Sequence, residues 1–123
     1  MKTNIILAGV GGQGILTIAA VLDTAALASD YNIKQSEVHG MSQRGGAVQS
    51  HVRISDKEIY SDLIPKGKAD MIISVEPMEL LRYLPYLKKG GLLVTDANPF
   101  VNITNYPELE NLYAEIKSHQ NTI

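Results

Sequence analysis

Short apolar runs alternate with longer amphipathic stretches along this chain, which is the pattern of strands separated by helices. The run Ile5–Ala8 is ended by glycines and is typical of a buried parallel strand. The alanine-rich stretch Ile15–Ala28 predicts a helix that can pack closely on a sheet. Further strands are predicted at residues 33–38, 69–75 and 92–96.

Residues 47–54 alternate between apolar and polar side chains, which predicts a strand with one polar face. We expect His51 and Arg53, on that polar face, to be solvated or to contact a partner. A turn is predicted at residues 55–57, and residues 58–62 are then expected to return as the antiparallel partner of a hairpin. The sheet would therefore be mixed.

The C-terminal part of the chain continues the alternation. Pro77 suits the first turn of a helix, which is predicted to run to about Leu87 and to be ended by Gly90-Gly91. Residues 107–118 predict a final amphipathic helix. The chain is therefore expected to be α/β, with residues 1–123 forming a single three-layer Rossmann-like domain. Its sheet would be mostly parallel but mixed, with helices on both faces.

Composition narrows the classes of function. The formal net charge of −2 argues against a nucleic-acid binder, which usually carries a basic excess. Without cysteine, the chain itself cannot form disulfides or hold a Cys-ligated zinc ion or iron–sulfur cluster. The N-terminal apolar run is interrupted by glycines before it is long enough to span a membrane, and no signal-peptide cleavage region precedes them. We therefore expect a cytoplasmic protein with no membrane partner.

A glycine-rich turn follows the first predicted strand and precedes the first predicted helix. Its spacing is G-x-G-x-x-G, and such turns bring an anion close to backbone N–H groups at a helix N-terminus. The residues predicted to contact a ligand or cofactor are Gly9, Gly11, Gly12, Gln13 and Gly14. The alternative interpretation is a tight turn with close helix–strand packing and no ligand.

A dinucleotide site would also need an acidic residue roughly 20 positions further on, to hold the ribose. Asp30 falls short of the second strand, whereas Glu37 lies near its end at a tolerable distance. Because His39 and Arg44 follow Glu37 closely, this strand end does not resemble the usual apolar one with a single acid. A free NAD site is therefore not favoured.

The segment from Glu37 to Gly46 combines charged, polar and flexible residues to a degree that is unusual for a core element or a simple turn. Arg44 could bind a carboxylate or phosphate bidentately, and His39 is a candidate for proton transfer near neutral pH. Alternatively, Glu37 and Arg44 form a local ion pair and His39 stabilises the loop. No catalytic residue is certain; binding or subunit contact is favoured. The residues predicted to contact an anion, a substrate or a partner loop are Glu37, His39, Gln43, Arg44, Gly45 and Gly46.

Other polar residues carry weaker signals. The three histidines, at positions 39, 51 and 119, do not have the spacing of a metal site, so none is predicted. Glu76, before Pro77, follows an apolar strand at the end where α/β sheets bind ligands, but it could equally be a helix N-cap. Asp96 has the same ambiguity.

Several motifs together resemble a known family. They are Gly11–Gly14, Ser36–Gly46, Ser61–Pro65 and Glu76–Glu79, in that order. With them the chain resembles the gamma subunit or domain of the 2-oxoacid:ferredoxin oxidoreductases, and Ser36–Gly46 is most similar to the beta subunit of the indolepyruvate enzyme. The resemblance covers nearly the whole chain, although members usually continue with another strand and helix. Two interpretations follow: a gamma-type domain that is truncated at the C-terminus, or one whose last helix frays.

The resemblance implies a heteromeric enzyme that oxidatively decarboxylates a 2-oxoacid to an acyl-coenzyme A and reduces ferredoxin, in anaerobic metabolism. Thiamine diphosphate, Mg²⁺ and the iron–sulfur clusters are expected in partner subunits, since this chain also lacks a Gly-Asp-Gly…Asn diphosphate motif. Coenzyme A would be a ligand shared with those partners. The chain is thus expected to be a non-thiamine subunit that is inactive alone. Two competing hypotheses are a stand-alone nucleotide-binding module and a purely structural assembly subunit.

Overall fold

The computed structural model describes residues 2–10, 14–39, 47–96 and 114–116, with the backbone alone at positions 38, 39 and 47. The described strands and helices follow one another in the predicted order. They alternate, except that no described helix separates the second strand from the third or the third from the fourth. In chain order the elements are β1 (Lys2–Val10), α1 (Ile15–Ala28), β2 (Asn32–His39), β3 (Ala47–Ser55), β4 (Ala69–Ser74), α2 (Pro77–Arg82), a 3₁₀ turn (Leu84–Tyr86) and β5 (Leu87–Thr95).

The strands form one five-stranded sheet in the order β2-β3-β1-β4-β5. β1 pairs parallel with β4, and β4 pairs parallel with β5, whereas β3 runs antiparallel to both of its neighbours. The predicted mixed α/β architecture is confirmed, but its antiparallel strand is β3 itself. Residues 58–62 are not a strand. Because β1 and β2 occupy both edges of β3, no edge remains to which that segment could pair.

The two faces of the sheet bury separate hydrophobic clusters, which makes the domain three-layered. One cluster lies under α1 and consists of Ile5, Leu7, Ile15, Ala19, Val48 and Val52. The helix ends in a turn in which Asp30 is left-handed, with a φ of 61°. The Tyr31 N–H donates to the Ala26 carbonyl in this turn. The outer side of α1 is also apolar, with Leu16, Val21 and Leu27 exposed. A helix that is apolar all round is normally covered.

The second cluster lies on the opposite face, under α2 and the segment between β3 and β4. Its buried members include Ile6, Ala8, Ile64, Ile72, Leu80, Leu93 and Ile116. Ile116, 3% exposed, belongs to a helical piece at residues 114–116. The rest of the predicted final helix and residues 121–123 lie outside the described residues, so the extent of the domain stays a prediction.

The predicted helix from Pro77 to about Leu87 is too long. α2 ends at Arg82 because Pro85 cannot donate to a helix and its ring clashes with the preceding turn. β5 therefore begins at Leu87, and Gly90-Gly91 lie inside the strand. Ala69 pairs with Leu87 but Met71 pairs with Leu92, so the glycines occupy an irregularity in the ladder rather than the end of a helix. Gly90 has a φ of 78°, which suits glycine.

Candidate functional site

Four of the five strands have their carboxyl ends at the same edge of the sheet. β1, β2, β4 and β5 all run in the same direction, so their carboxyl ends lie at the same edge, together with the amino end of β3. Val48 of β3 pairs with Gly9 on one side and with His39 on the other. Since neighbouring strands are about 4.8 Å apart, the backbones of Gly9 and His39 are roughly 10 Å apart. The glycine turn and the segment after β2 thus leave the sheet side by side.

Two glycines of the predicted anion-binding turn, Gly9 and Gly14, are described in the structure. Gly9 is buried within β1, and Gly14 precedes α1 with a φ of 85°, in the left-handed region. The first turn of α1 has no acidic residue and no side-chain cap. Among the described residues, no side chain therefore caps its N–H groups, and uncapped helix N–H groups favour an anion. Gly11, Gly12 and Gln13 lie outside the described residues, and their ligand contacts stay a prediction.

Glu37 belongs to β2 rather than to the loop, because the strand continues through His39. Its carboxylate Oε1 accepts a hydrogen bond of 2.6 Å from Gln35 Nε2, which also lies 3.3 Å from Ser50 Oγ. Burial, and then the nearby charge of Glu37, raise the pKa of Asp23 on α1. Glu37 is thus part of a polar cluster between α1 and the sheet.

The remaining predicted residues of the Glu37–Gly46 segment are not described in the structure. The His39 side chain, Gln43, Arg44, Gly45 and Gly46 lie outside the described residues, and so does the alternative ion pair between Glu37 and Arg44. The structure does show the two residues that flank the undescribed positions: β2 ends at His39 and β3 begins at Ala47, both at the edge of the sheet described above. The functional roles of these residues stay predictions.

Glu76 is a helix N-cap. Its carboxylate accepts hydrogen bonds from the backbone N–H groups of Met78 and Glu79, at 2.8 and 3.1 Å, and the residue is 1% exposed. Ser74 fixes its backbone, since Ser74 Oγ accepts from the Glu76 N–H and donates to the Glu76 carbonyl. The capping interpretation is therefore confirmed. At the next strand end, the Asp96 N–H donates to the Ser74 carbonyl.

Glu79 is a buried carboxyl that the sequence did not single out by itself. It is 1% exposed, and its Oε2 lies 2.8 Å from Arg82 Nε. Burial raises the pKa of Glu79, although the Arg82 charge opposes this shift. The sequence did contain a signal for this residue: Glu79 lies three residues after the N-cap Glu76, which is the spacing of a capping box.

His51 and Arg53 are not simply solvated, contrary to the sequence-based expectation. The segment between β3 and β4 covers their face of the sheet. Arg53 is half-buried and donates to Asn4 Oδ1 and to the carbonyls of Ser61 and Leu63. An alternating pattern identifies a polar face but cannot show which segment lies over it.

The His51 ring is 4% exposed and takes part in two hydrogen bonds. Its Nδ1 accepts from the Ile64 N–H at 3.0 Å, so the proton of the neutral ring sits on Nε2, 3.0 Å from Gln49 Oε1. Tyr86 packs edge-on at 5.6 Å between ring centroids. Burial lowers the pKa of His51, with Asp62 opposing the shift.

This environment predicts a pH dependence of stability. In the unfolded chain His51 should titrate near pH 6.5, and its folded pKa is lower, so the unfolded state binds the proton more readily. The stabilising contribution is present above about pH 6.5 and is lost as the pH falls below it, by at most about 1.4 kcal/mol per pH unit. Urea unfolding of the wild type and of His51→Gln, above and below that pH, measures it. Equal losses of stability in the two proteins would contradict the assignment.

Metal ligands are not clustered in the described part of the chain: no group of three or more His, Cys, Asp or Glu side chains there is arranged to hold a metal ion. None of the described helices has the length and apolar character needed to cross a membrane.

Comparison with known proteins gives concordant matches. The family model for pyruvate ferredoxin/flavodoxin oxidoreductase matches residues 4–120. Indolepyruvate oxidoreductase subunit IorB of Pyrococcus horikoshii is 50% identical over 115 residues, which are 89% of this chain and 56% of the relative. The chain thus spans little more than half the length of such relatives.

Two solved structures share the fold. The gamma subunit of keto/oxoacid ferredoxin oxidoreductase from Geobacter sulfurreducens is 29% identical, with a TM-score of 0.61 over 86% of this chain and 56% of that one. The 2-oxoglutarate:ferredoxin oxidoreductase of Magnetococcus marinus, solved with 2-oxoglutarate, coenzyme A and succinyl-CoA, is 19% identical. Its TM-score is 0.69 over 87% of this chain and 18% of that one, a likeness that concerns the fold alone.

Proposed function

Because the chain belongs to the pyruvate ferredoxin/flavodoxin oxidoreductase family, we propose that it is a non-thiamine subunit of a heteromeric 2-oxoacid:ferredoxin oxidoreductase. The reaction would convert a 2-oxoacid and coenzyme A into an acyl-coenzyme A and carbon dioxide, and pass the electrons to ferredoxin. The identity of 50% to an indolepyruvate oxidoreductase subunit favours indolepyruvate as the substrate. A cytoplasmic location and a role in anaerobic metabolism accompany this proposal as predictions.

One observation carries the proposal: the glycine turn and the Glu37–Gly46 segment leave the same edge of the sheet, about two strand spacings apart. α1 begins near this edge, and Arg44 lies in the sequence between the flanking residues His39 and Ala47. Helix N–H groups and a guanidinium are groups that bind anions. A coenzyme A phosphate shared with a partner is the ligand that suits them. His39 would position substrate or a partner loop.

The redox and thiamine chemistry would come from partner subunits. The chain has no cysteine, so its own residues do not fit an iron–sulfur cluster. Thiamine diphosphate, when bound in a partner, would supply the carbanion stabilisation that decarboxylation needs. This chain would bind anionic groups and complete the shape of the site. The apolar outer side of α1, with Leu16, Val21 and Leu27 exposed, suits contact with a partner.

Reconstitution tests this proposal. The purified chain alone is expected to show no 2-oxoacid-dependent reduction of ferredoxin, and a thiamine-binding, cluster-bearing protein should co-purify with it from the source cell. Adding that partner should give turnover, fastest with indolepyruvate when it is compared with pyruvate and 2-oxoglutarate.

The competing hypotheses predict other results. Turnover by the isolated chain would contradict the subunit role. Binding of NAD or FAD to the isolated chain in calorimetry, without a co-purifying partner, would favour a stand-alone nucleotide-binding module. A complex whose activity is insensitive to every substitution in the Glu37–Gly46 segment would favour a purely structural subunit.

A further inference from the structure

A cavity of about 250 Å³ lies at the end of the sheet opposite the glycine turn, where β1 and β4 begin. Its lining contains three basic side chains, one carboxylate and one amide. We call it the Arg53 cavity, and it is lined by Lys2, Asn4, Arg53, Pro65, Lys68 and Asp70.

The guanidinium of Arg53 is held in place. Its Nε donates to Asn4 Oδ1 at 3.1 Å, and its Nη1 donates to the carbonyls of Ser61 and Leu63 at 3.0 and 3.1 Å. Asn4 is itself fixed, because its Nδ2 donates to the Lys68 carbonyl. Among the described residues, Nη2 has no acceptor within hydrogen-bond distance. An immobilised guanidinium with an unused N–H₂ group loses little entropy when it binds an anion.

The carboxylate in the cavity is already engaged. Asp70 Oδ2 accepts from the Asn4 N–H at 2.7 Å, and Oδ1 lies 2.5 Å from Lys88 Nζ. Burial works to raise the pKa of Asp70, but these hydrogen bonds and the charges of Lys88 and Lys2 outweigh it and lower the pKa. Asp70 is therefore ionised at neutral pH and is matched by Lys88.

Lys2, Arg53 and Lys68 give the lining three cations against the single carboxylate of Asp70, which is paired with Lys88. In the described part of the chain, no carboxylate lies within ion-pair distance of the Lys2 or Lys68 ammonium groups, and Arg53 bonds only to neutral acceptors. A concave surface with this charge attracts a multiply charged anion more strongly than a monocarboxylate.

We propose that the Arg53 cavity binds the phosphoryl group of a small ligand, with Arg53 Nη2 and the ammonium groups of Lys2 and Lys68 as donors. The planar guanidinium matches the oxygens of a phosphoryl group. Sites for drug-sized ligands usually start at roughly 300 Å³, so this cavity takes a phosphoryl group and a few attached atoms.

Titration of the full protein tests the proposal. Backbone amide shifts are followed by NMR while inorganic phosphate, or glycerol phosphate as a small ester, is added at constant ionic strength. Saturable shifts are expected at Asn4, Arg53 and Lys68. Tighter binding of the ester would indicate a phosphorylated small molecule, and equal binding would indicate free phosphate. The same shifts with sodium chloride alone would overturn the proposal, because they would reflect charge screening.

Matched variants locate the binding. Lys68→Ala removes an ammonium group but keeps the carbonyl to which Asn4 donates, and it should weaken phosphate binding about tenfold, as expected for a charged hydrogen bond. Arg53→Lys should weaken it similarly, because lysine keeps the charge but not the planar geometry. Lys89→Ala, at an exposed position outside the lining, should not change it. Unchanged binding in Lys68→Ala would overturn the proposal even if Arg53→Lys disturbs the fold.

Discussion

Arg44→Ala is expected to lower kcat/KM of the assembled oxidoreductase by about tenfold to a hundredfold while the subunits stay associated. The proposed role of Arg44 is to bind an anionic group at the converging strand ends. A hydrogen bond to a charged group contributes roughly 1.5–3 kcal/mol, which corresponds to that range of rates. Initial rates over a range of coenzyme A and of 2-oxoacid concentrations show which of the two ligands Arg44 binds.

Two controls make this prediction specific. Arg44→Lys retains the charge but loses the bidentate geometry, so its loss of kcat/KM should be intermediate. Lys57→Ala removes a cation from the exposed turn after β3 and should leave the kinetics unchanged. Kinetics of Arg44→Ala that equal those of the wild type would remove Arg44 from the site, whereas a complex that falls apart would assign it to the subunit interface.

Leu80→Ala is expected to destabilise the domain by between about 2 and 5 kcal/mol. Leu80 is 0% exposed and packs from α2 onto the cluster that also contains Ile72 and Leu93. Truncation removes the transfer free energy of the side chain and leaves a cavity, because neighbouring strands cannot collapse into the space. Urea unfolding followed by circular dichroism measures the change.

The matched control is Leu27→Ala, which makes the same substitution on a helix but at a position that is 63% exposed. Its effect on the isolated chain should lie within about 0.5 kcal/mol. Similar losses at both positions would mean that α2 does not bury Leu80 in solution. In the assembled complex, Leu27→Ala should weaken subunit association if the outer side of α1 is covered by a partner.

The sequence was sufficient for those elements whose pattern reflects local physics. The bounds of α1 agree with the prediction, because glycines precede the helix and a left-handed Asp30 follows it. β2 and β3 were also recognisable, although their antiparallel pairing was not. Period-two alternation shows that a segment is a strand, but it contains no information on which neighbour pairs with it.

The errors have two different causes, one local and one tertiary. The helix predicted after Pro77 was extended past Pro85, although a proline ends a helix for local reasons. Gly90-Gly91, which were predicted to end that helix, lie within β5 instead. The burial of His51 depends on a segment more than ten residues away that lies over its face. Single-sequence patterns cannot detect such coverage.

The strands and the helix that flank the candidate site were predictable from the sequence, but their relative placement was not. Gly14 of the G-x-G-x-x-G motif has a positive φ, and the N-cap role of Glu76 was one of two interpretations offered by its position before Pro77. The convergence of the glycine turn with the Glu37–Gly46 segment required the sheet order, since residues 9 and 39 are distant in sequence.

The pairing of His39 with Val48 has a consequence for how such proteins diversify. Residues 40–46 connect β2 to β3, which pair with each other from Asn32–Ser55 to His39–Val48, and β3 also pairs with β1 along its whole length. The entropy of closing such a connection changes only slowly with its length. A change in the length of residues 40–46 should therefore cost the domain little entropy, so the anion contact that we propose for Arg44 can vary between homologous subunits.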